Sequence, residues 1–296
     1  MTAPDTLYQT DLHSLPLRAR GKVRDIYDIN EELMLIVTTD RISAFDCILP
    51  DAIPGKGRVL TAVSEFWFKK LAHVVPNQQT GIALADVIPD PSEARLLEGR
   101  GIVVRKLKAL PVEAVVRGYL IGSGWKDYQS RGQICDQTLP SGLRQAEKLP
   151  EILFTPSTKA ELGAHDENIS FSRTVELLGE KLAHQVRQIS IQLYTEASAH
   201  ALERGLIIAD TKFEFGVDEN GILHLIDEVL TPDSSRFWPL DGYATGMSPP
   251  SFDKQFVRDY LESLDWDKKP PAPRLSDEVI KKTAEKYREA EKRLTR

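Results

Sequence analysis

The sequence holds only two cysteines, Cys47 and Cys135, far apart and without CxxC spacing. That excludes a cysteine-rich zinc site and a disulfide framework, and leaves two reduced thiols of the kind that act as small apolar side chains. Positive charge is in deficit: 38 Lys and Arg face 44 Asp and Glu, a net charge of −6. No general surface for nucleic-acid phosphates exists, although a local cationic pocket stays open. No apolar run approaches the ~20 residues that span a bilayer, and Met1 to Lys22 lacks the basic start and apolar block of a signal peptide. The expected compartment is the cytoplasm, and the sequon at Asn168-Ile169-Ser170 reads as coincidence. Several catalytic signatures are missing as well. There is no GxxxxGK[ST] loop, no GxSxG elbow and no HExxH, and the six histidines have no metal-ligand spacing.

What is present is the composition of a globular protein, 41% hydrophobic and 28% charged over 296 residues, enough for one large or two ordinary domains. After a polar leader at 1–17, alternation over 22–27 and an apolar run over 32–39 predict an antiparallel hairpin turning near 28–31. Leu60, Val63, Phe66, Trp67 and Leu71 predict a helix over 60–74. Runs at 101–107 and 112–117 predict further strands, so the N-terminal third reads as a mainly antiparallel sheet with one helix. The stretch from 118 to about 168 is rich in Gly, Pro, Ser and Asp and reads as functional loop. Residues 170–204 carry one long amphipathic helix, 205–230 a strand hairpin, and 268–273 a stiff proline connector. Ser276 caps a final helix with Val279, Ile280, Thr283, Tyr287 and Leu294 inward. The fold class is α+β in two lobes around a cleft: 1–110, β-rich and nucleotide-binding, and 111–296, an α+β substrate and metal lobe ending in a helix.

The most informative pair is Glu214 and Asp227. Asn220-Gly221 between apolar runs is a strong hairpin signal. A two-residue turn there pairs Glu219 with Ile222 and sets Glu214 opposite Asp227; a turn of odd length separates them. Opposed carboxylates repel, and a divalent cation removes that penalty, since carboxylates and phosphate oxygens are ordinary Mg²⁺ ligands. The alternative is a solvated face, against which stand the apolar neighbours in Phe213-Glu214-Phe215 and Leu225-Ile226-Asp227. Lys212 shares this face.

Three other segments suit anions. Gly21 beside Lys22 allows close backbone approach to phosphate, or is merely an exposed turn. Arg117 leaves an apolar strand and is followed by Gly122-Ser123-Gly124, which suits a phosphate monoester held by a guanidinium fork and backbone amides, or is a plain turning loop. Arg236 follows the carboxylate hairpin, where deep burial of an arginine calls for an anion partner. His165 could sit in the cleft.

Six segments in register resemble the SAICAR synthase family. They are Gly21–Tyr27, Thr39–Asp46, Val115–Trp125, Phe154–Glu161, Asp210–Gly216 and Asp227–Arg236. Residues 251–256 and the C-terminal helix resemble its longer, monomeric branch; the shorter bacterial branch lacks that tail. The resemblance implies an ATP-dependent ligase that joins L-aspartate to the carboxylate of carboxyaminoimidazole ribotide (CAIR), releasing ADP and phosphate. It further implies a kinase-like N-terminal lobe over an ATP-grasp-like C-terminal lobe, with ATP and Mg²⁺ as cofactors and neither nucleic acid nor membrane as partner. On the nucleotide side it places Gly21, Lys22, Arg24, Lys106 and Glu113, with the backbone of Lys108, Ala109 and Leu110 at adenine. Glu214 and Asp227 hold the metal and, with Lys22, form the catalytic set. Arg117, Ser123 and Arg236 hold the ribotide phosphate, with Asp233 in support, and Gly122 and Ser235 are among the substrate-binding residues. Arg41, Ser43, Asp46, Lys159, Asp166 and Lys212 line the substrate side. An acyl phosphate attacked by the aspartate amine is the implied route, and Asp210 and Asp166 are candidates for its base. A small-molecule kinase and a nucleotide-sensing module are the competing readings.

Overall fold

The computed structural model describes residues 6–159 and 167–296. Four strands form the first sheet, β1 (Leu17–Arg20), β2 (Arg24–Asp28), β3 (Leu33–Thr38) and β4 (Gly101–Arg105), in that order and antiparallel throughout. The expected hairpin is there, with Arg24 opposite Thr38 and Asp28 opposite Met34. Alternation decides which side packs: Tyr27, Leu35, Val37 and Val103 are buried in one cluster with Leu7, Leu12, Ile88 and Leu97.

Helix α1 (Lys56–Lys70) leads to the second sheet. It begins four residues before the expected start because Gly55 turns the chain in a left-handed conformation, φ 78°. The sheet contains β5 (Val112–Tyr119), β6 (Lys148–Phe154), β7 (Leu206–Val217), β8 (Leu223–Ile226) and β9 (Ser235–Pro239). Strand β7 is its spine, pairing with β5, β8 and β9 and with the short strand Lys108–Ala109. Three elements differ from expectation. The 118–168 stretch contains helix α2 (Gly122–Arg131), β6 and a two-stranded ribbon at 133–138. Its glycines and polar residues punctuate these short elements, as where Gly132 ends α2 at φ 69°. The long helix is two, α3 (Phe171–Leu178) and α4 (Glu180–Glu203), broken where Gly179 takes φ 81°. Strand β9, which carries Arg236, was not expected at all.

Helices α5 (Gln255–Glu262) and α6 (Asp277–Thr295) follow the sheet, α6 capped by Ser276 as expected. The largest apolar cluster joins Val63 and Trp67 of α1, Val116, Phe213, Leu225 and Phe237 of the second sheet, Leu193 and Ala197 of α4, and Tyr287 and Leu294 of α6. A separate cluster packs Ile42, Leu49 and Ile53 against Val257 and Leu261 of α5 and Val279 of α6. The chain's end is thereby wedged against the loop that follows β3.

Candidate active-site cleft

The β7–β8 pairing sets Glu214 opposite Ile226 and Val217 opposite Leu223, one residue away from the expected register. The turn has odd length. Asp218 carbonyl accepts from the Gly221 amide at 3.0 Å, the Asp218 carboxylate accepts from the amides of Asn220 (2.9 Å) and Ile222 (2.8 Å), and Gly221 sits at φ 76°. A three-residue loop closed by a left-handed glycine has just this hydrogen-bonding pattern. By strand alternation Asp227 should then face away from Glu214. It does not, because the strand ends at Ile226 and Asp227 takes φ 62°, a left-handed conformation uncommon for a non-glycine residue. Both carboxylates line the same cleft of about 380 Å³. The expected juxtaposition is present, produced by a backbone kink rather than by register.

The two acids sit in different fields. Arg24 of β2 reaches from the first sheet to pair with Asp227 at 2.7 Å and with Glu228 at 2.9 Å. Burial nevertheless pushes the Asp227 carboxyl up to about 6; Arg24 opposes this, and the charges of Glu214 and Glu228 add to it. Burial acts the same way on Glu214, but Lys212 and Lys159 outweigh it and hold that carboxyl below its usual range. Lys159 lies 2.5 Å and Lys212 3.3 Å from Glu214, and Lys212 also pairs with Glu113. At the mouth, Lys22 forms an ion pair with Asp46, the φ 61° residue at the tip of a small hairpin, Ser43–Ala44 with Cys47–Ile48.

The other end of the cleft is built from guanidinium groups. Arg117 of β5 donates to Asp210 (3.0 Å), Thr155 Oγ1 (2.9 Å) and Ser123 Oγ (2.9 Å), and Arg236 donates to the same Asp210 oxygen at 2.5 Å. Asp210 thus holds two arginines side by side. Gly122 is required here on two counts: its φ is 62°, and a Cβ would collide with the Arg236 guanidinium. Ser123 belongs to the first turn of α2, so the expected anion loop is a helix start. Asp233 carries a buried cluster, accepting from Lys56 Nζ and Tyr287 Oη at 2.7 Å each, with Lys254 Nζ at 3.2 Å. Burial opposes its charge, yet Lys254, Lys56 and Tyr287 hold the Asp233 carboxyl far below the usual range. Ser235 shares a hydrogen bond with Thr211 at 2.7 Å.

Of the residues expected on the substrate and nucleotide sides, Lys22, Arg24, Ser43, Asp46, Glu113, Lys212, Asp233, Ser235 and Arg236 line this cleft with Glu214 and Asp227. Arg117 and Lys159 touch residues that line it, Asp210 and Glu214, and Ser123 stands one contact further back, accepting from Arg117. Arg41 is corrected. It is buried behind the Gly21-Lys22 turn, donating to the carbonyls of Gly21 (3.0 Å) and Lys22 (3.1 Å) and to Asp25 (2.8 Å), so it shapes that turn from behind. Lys106 is tied to Asp28 at 2.5 Å on the first sheet. Lys108 and Ala109 pair with β7, and the Leu110 amide donates to the Phe215 carbonyl at 2.8 Å, so that donor is already engaged. Asp166 and His165 lie outside the described residues. Sequence reasoning missed Glu228, Asp253, Lys254 and Arg258, all of which line the cleft. The charges of Asp253-Lys254 were a usable signal, but only packing shows that they turn inward.

An α+β fold with carboxylates at one end of a cleft and clustered arginines at the other defines a protein that binds small, highly charged ligands. The SAICAR synthetase family model matches residues 17–273, and the chain belongs to that family. It is 68% identical over 295 residues to the phosphoribosylaminoimidazole-succinocarboxamide synthase of Methylococcus capsulatus, spanning 100% of this chain and 99% of that one. The enzyme of the same name from Thioalkalivibrio sulfidiphilus is 64% identical over 289 residues, covering 98% of each. Among solved structures, the SAICAR synthase of Saccharomyces cerevisiae complexed with SAICAR superposes with a TM-score of 0.90 at 44% identity, over 98% of both chains. A SAICAR synthetase solved with ADP shares the fold at a TM-score of 0.69 and 24% identity, covering 94% of this chain and 97% of that one.

Proposed function

We propose that the protein ligates L-aspartate to the carboxylate of CAIR, cleaving ATP to ADP and phosphate, as a step of purine biosynthesis. Full-length identity to enzymes of that name supports the activity. The observation that carries the site assignment is the polarised cleft, with the Glu214–Asp227 pair at one end and the Arg117–Asp210–Arg236 clamp at the other.

The chemistry follows from the weakness of a carboxylate as an electrophile. A CAIR carboxylate oxygen attacks the γ-phosphorus, the bond to ADP breaks, and an acyl phosphate results. The aspartate amine then attacks the acyl carbon, phosphate leaves with the bonding electrons, and the nitrogen gives up a proton as the amide forms. Such steps depend on placing charges correctly, and no covalent protein nucleophile is needed. Lys22 reaches the nucleotide phosphates once it exchanges Asp46 for them. Arg24, paired to Asp227 and Glu228, keeps the acids aligned beneath. Lys159 and Lys212 stand where negative charge accumulates on the transferring group. Arg117, Ser123 and Arg236 hold the ribotide phosphate, with the Gly122 backbone close by. Ser43 and Asp46 face the substrates, and Asp210, bound by two arginines, orients them and is not free to act as base.

The donor set fits Mg²⁺: Asp227 and Glu214 face one cavity, each raises the other's energy, and among the described residues no larger acidic or histidine cluster competes. Held by Glu214 and Asp227, the ion would supply neutralisation of phosphoryl charge. We place the lobe boundary at about residue 110, between the two sheets. The enzyme acts as a cytoplasmic monomer; among the described residues no helix is long and apolar enough to cross a membrane.

The test is turnover of purified protein with ATP, Mg²⁺, aspartate and CAIR, each omitted in turn. Loss of phosphate release on every omission is expected; release that continues without aspartate or CAIR sinks the ligase. Asp227→Asn should reduce kcat by at least about 100-fold with the fold intact, and EDTA should do the same to the wild type.

A further inference from the structure

The arginine end of the cleft carries more positive charge than its own carboxylates balance. Arg117 and Arg236 share Asp210, while Lys56 and Lys254 share Asp233. Arg258 of α5 also lines the cleft beside Arg236, and among the described residues no hydrogen bond or ion pair holds its guanidinium. The remaining carboxylate, Asp253, accepts from the amides of Phe237 (3.0 Å) and Gln255 (2.7 Å). Five cations against these three carboxylates leave two positive charges, and Arg236, Lys254 and Arg258 present theirs to the cleft, which matches a phosphate monoester dianion.

How that surplus is aimed depends on Asp233. Its Oδ2 takes both Lys56 (2.7 Å) and Lys254 (3.2 Å), whereas its Oδ1 takes the phenol of Tyr287 at 2.7 Å. Lys56 and Asp233 are sealed from solvent, with side-chain exposures of 0% and 1%; Lys254 keeps 14% and lines the cleft. Tyr287 belongs to the C-terminal helix, on the side away from the substrates. By occupying Oδ1 it leaves Lys254 only a shared, longer contact on Oδ2. Without the phenol, Oδ1 is a bare buried acceptor beside two ammonium groups; Lys56 is already held at 2.7 Å, and a shift of the more weakly held Lys254 (3.2 Å) onto Oδ1 would take its ammonium out of the cleft.

We propose that Tyr287 is a positioning residue for substrate recognition: through Asp233 it sets Lys254 toward the cleft, so that the C-terminal helix takes part in binding the phosphate of the ribotide. This rests on the reading that the ribotide phosphate lies at the Arg117–Arg236 end.

The experiment compares CAIR with its dephosphorylated nucleoside on Tyr287→Phe, Lys254→Met, the double variant and Arg236→Met. Tyr287→Phe should raise KM for CAIR about 5- to 20-fold and Lys254→Met about 10- to 100-fold. In Tyr287→Phe, KM for ATP and kcat/KM for the nucleoside should stay unchanged. The double variant should be no worse than Lys254→Met, since both act through one group. Equal losses on CAIR and nucleoside, or additive losses in the double variant, overturn the proposal and reduce Tyr287 to packing. Arg236→Met separates the two ideas. If it still discriminates CAIR from the nucleoside as the wild type does, the phosphate lies elsewhere and the underlying reading fails; if it alone loses discrimination, only the role of Tyr287 fails.

Discussion

At the scale of single residues, the cleft is a set of carboxylates, each assigned a different charge environment. Asp233 is the extreme case, buried with two lysines and a phenol. Its folded-state pKa is depressed, so the ionised form stabilises the fold, fully above the unfolded value of 3.8 and progressively less as pH falls below it. Asp233→Asn leaves Lys56 and Lys254 without a counter-charge and should cost about 3–5 kcal/mol at pH 7. That deficit should shrink toward pH 3, as denaturant unfolding at both pH values will show. Asp253 has the opposite sign. Burial raises it to about 6, above its unfolded 3.8, so its ionisation costs stability above about pH 6 and the cost is relieved as pH falls toward 4.

At the scale of elements, the β7–β8 hairpin shows how a turn and a kink together place a site. The Asn220-Gly221 pattern identified a hairpin and Gly221 its left-handed residue, but Asp218 accepting two amides lengthened the loop by one. A one-residue slip moves a side chain to the other face. The φ of 62° at Asp227 reverses that move, and the Arg24 ion pair and the Gln78 side chain donating to the Asp227 carbonyl at 3.0 Å hold it there. Gly221→Val should therefore destabilise the protein by about 1–2 kcal/mol through strain at φ 76°. The readout is the denaturation midpoint, with activity of the folded fraction largely kept because Asp227 is anchored independently. Gly122→Ala carries left-handed strain too, at φ 62°, and its Cβ also meets the Arg236 guanidinium, so KM for CAIR should rise about 10-fold or more in addition to a loss of stability of about 1 kcal/mol.

At the scale of the whole molecule, Arg24 of the first sheet grips two acids, Asp227 and Glu228, just past the end of β8 in the second. Ligands that bridge the two sheets should add to that link. Saturating Mg-ADP at about 100 times its Kd should stabilise the fold by about 2.7 kcal/mol. Thermal melts should show a rise of several degrees that EDTA largely removes. Arg24→Met should lower the melting temperature and weaken the ADP-dependent rise as well, because the aligned acids and the inter-sheet tie are lost together.

By itself the sequence determined the chemistry on hand: an acidic chain without thiol, zinc or Walker-type machinery, an α+β order of elements, and acids and arginines grouped in short segments. Apolar periodicity and left-handed glycines are local, so the first hairpin, the core of α1 and the cap of α6 were legible. What only the tertiary structure decided is where side chains point when local rules break. Arg41 turned inward because it found three carbonyls and Asp25, and Asp227 turned toward Glu214 because Arg24 was there to hold a strained backbone. Lys254 and Arg258 joined the cleft because α5 and α6 pack against the loop after β3, a contact between residues more than two hundred apart in the chain. Such placements depend on partners distant in sequence, and no local pattern encodes them.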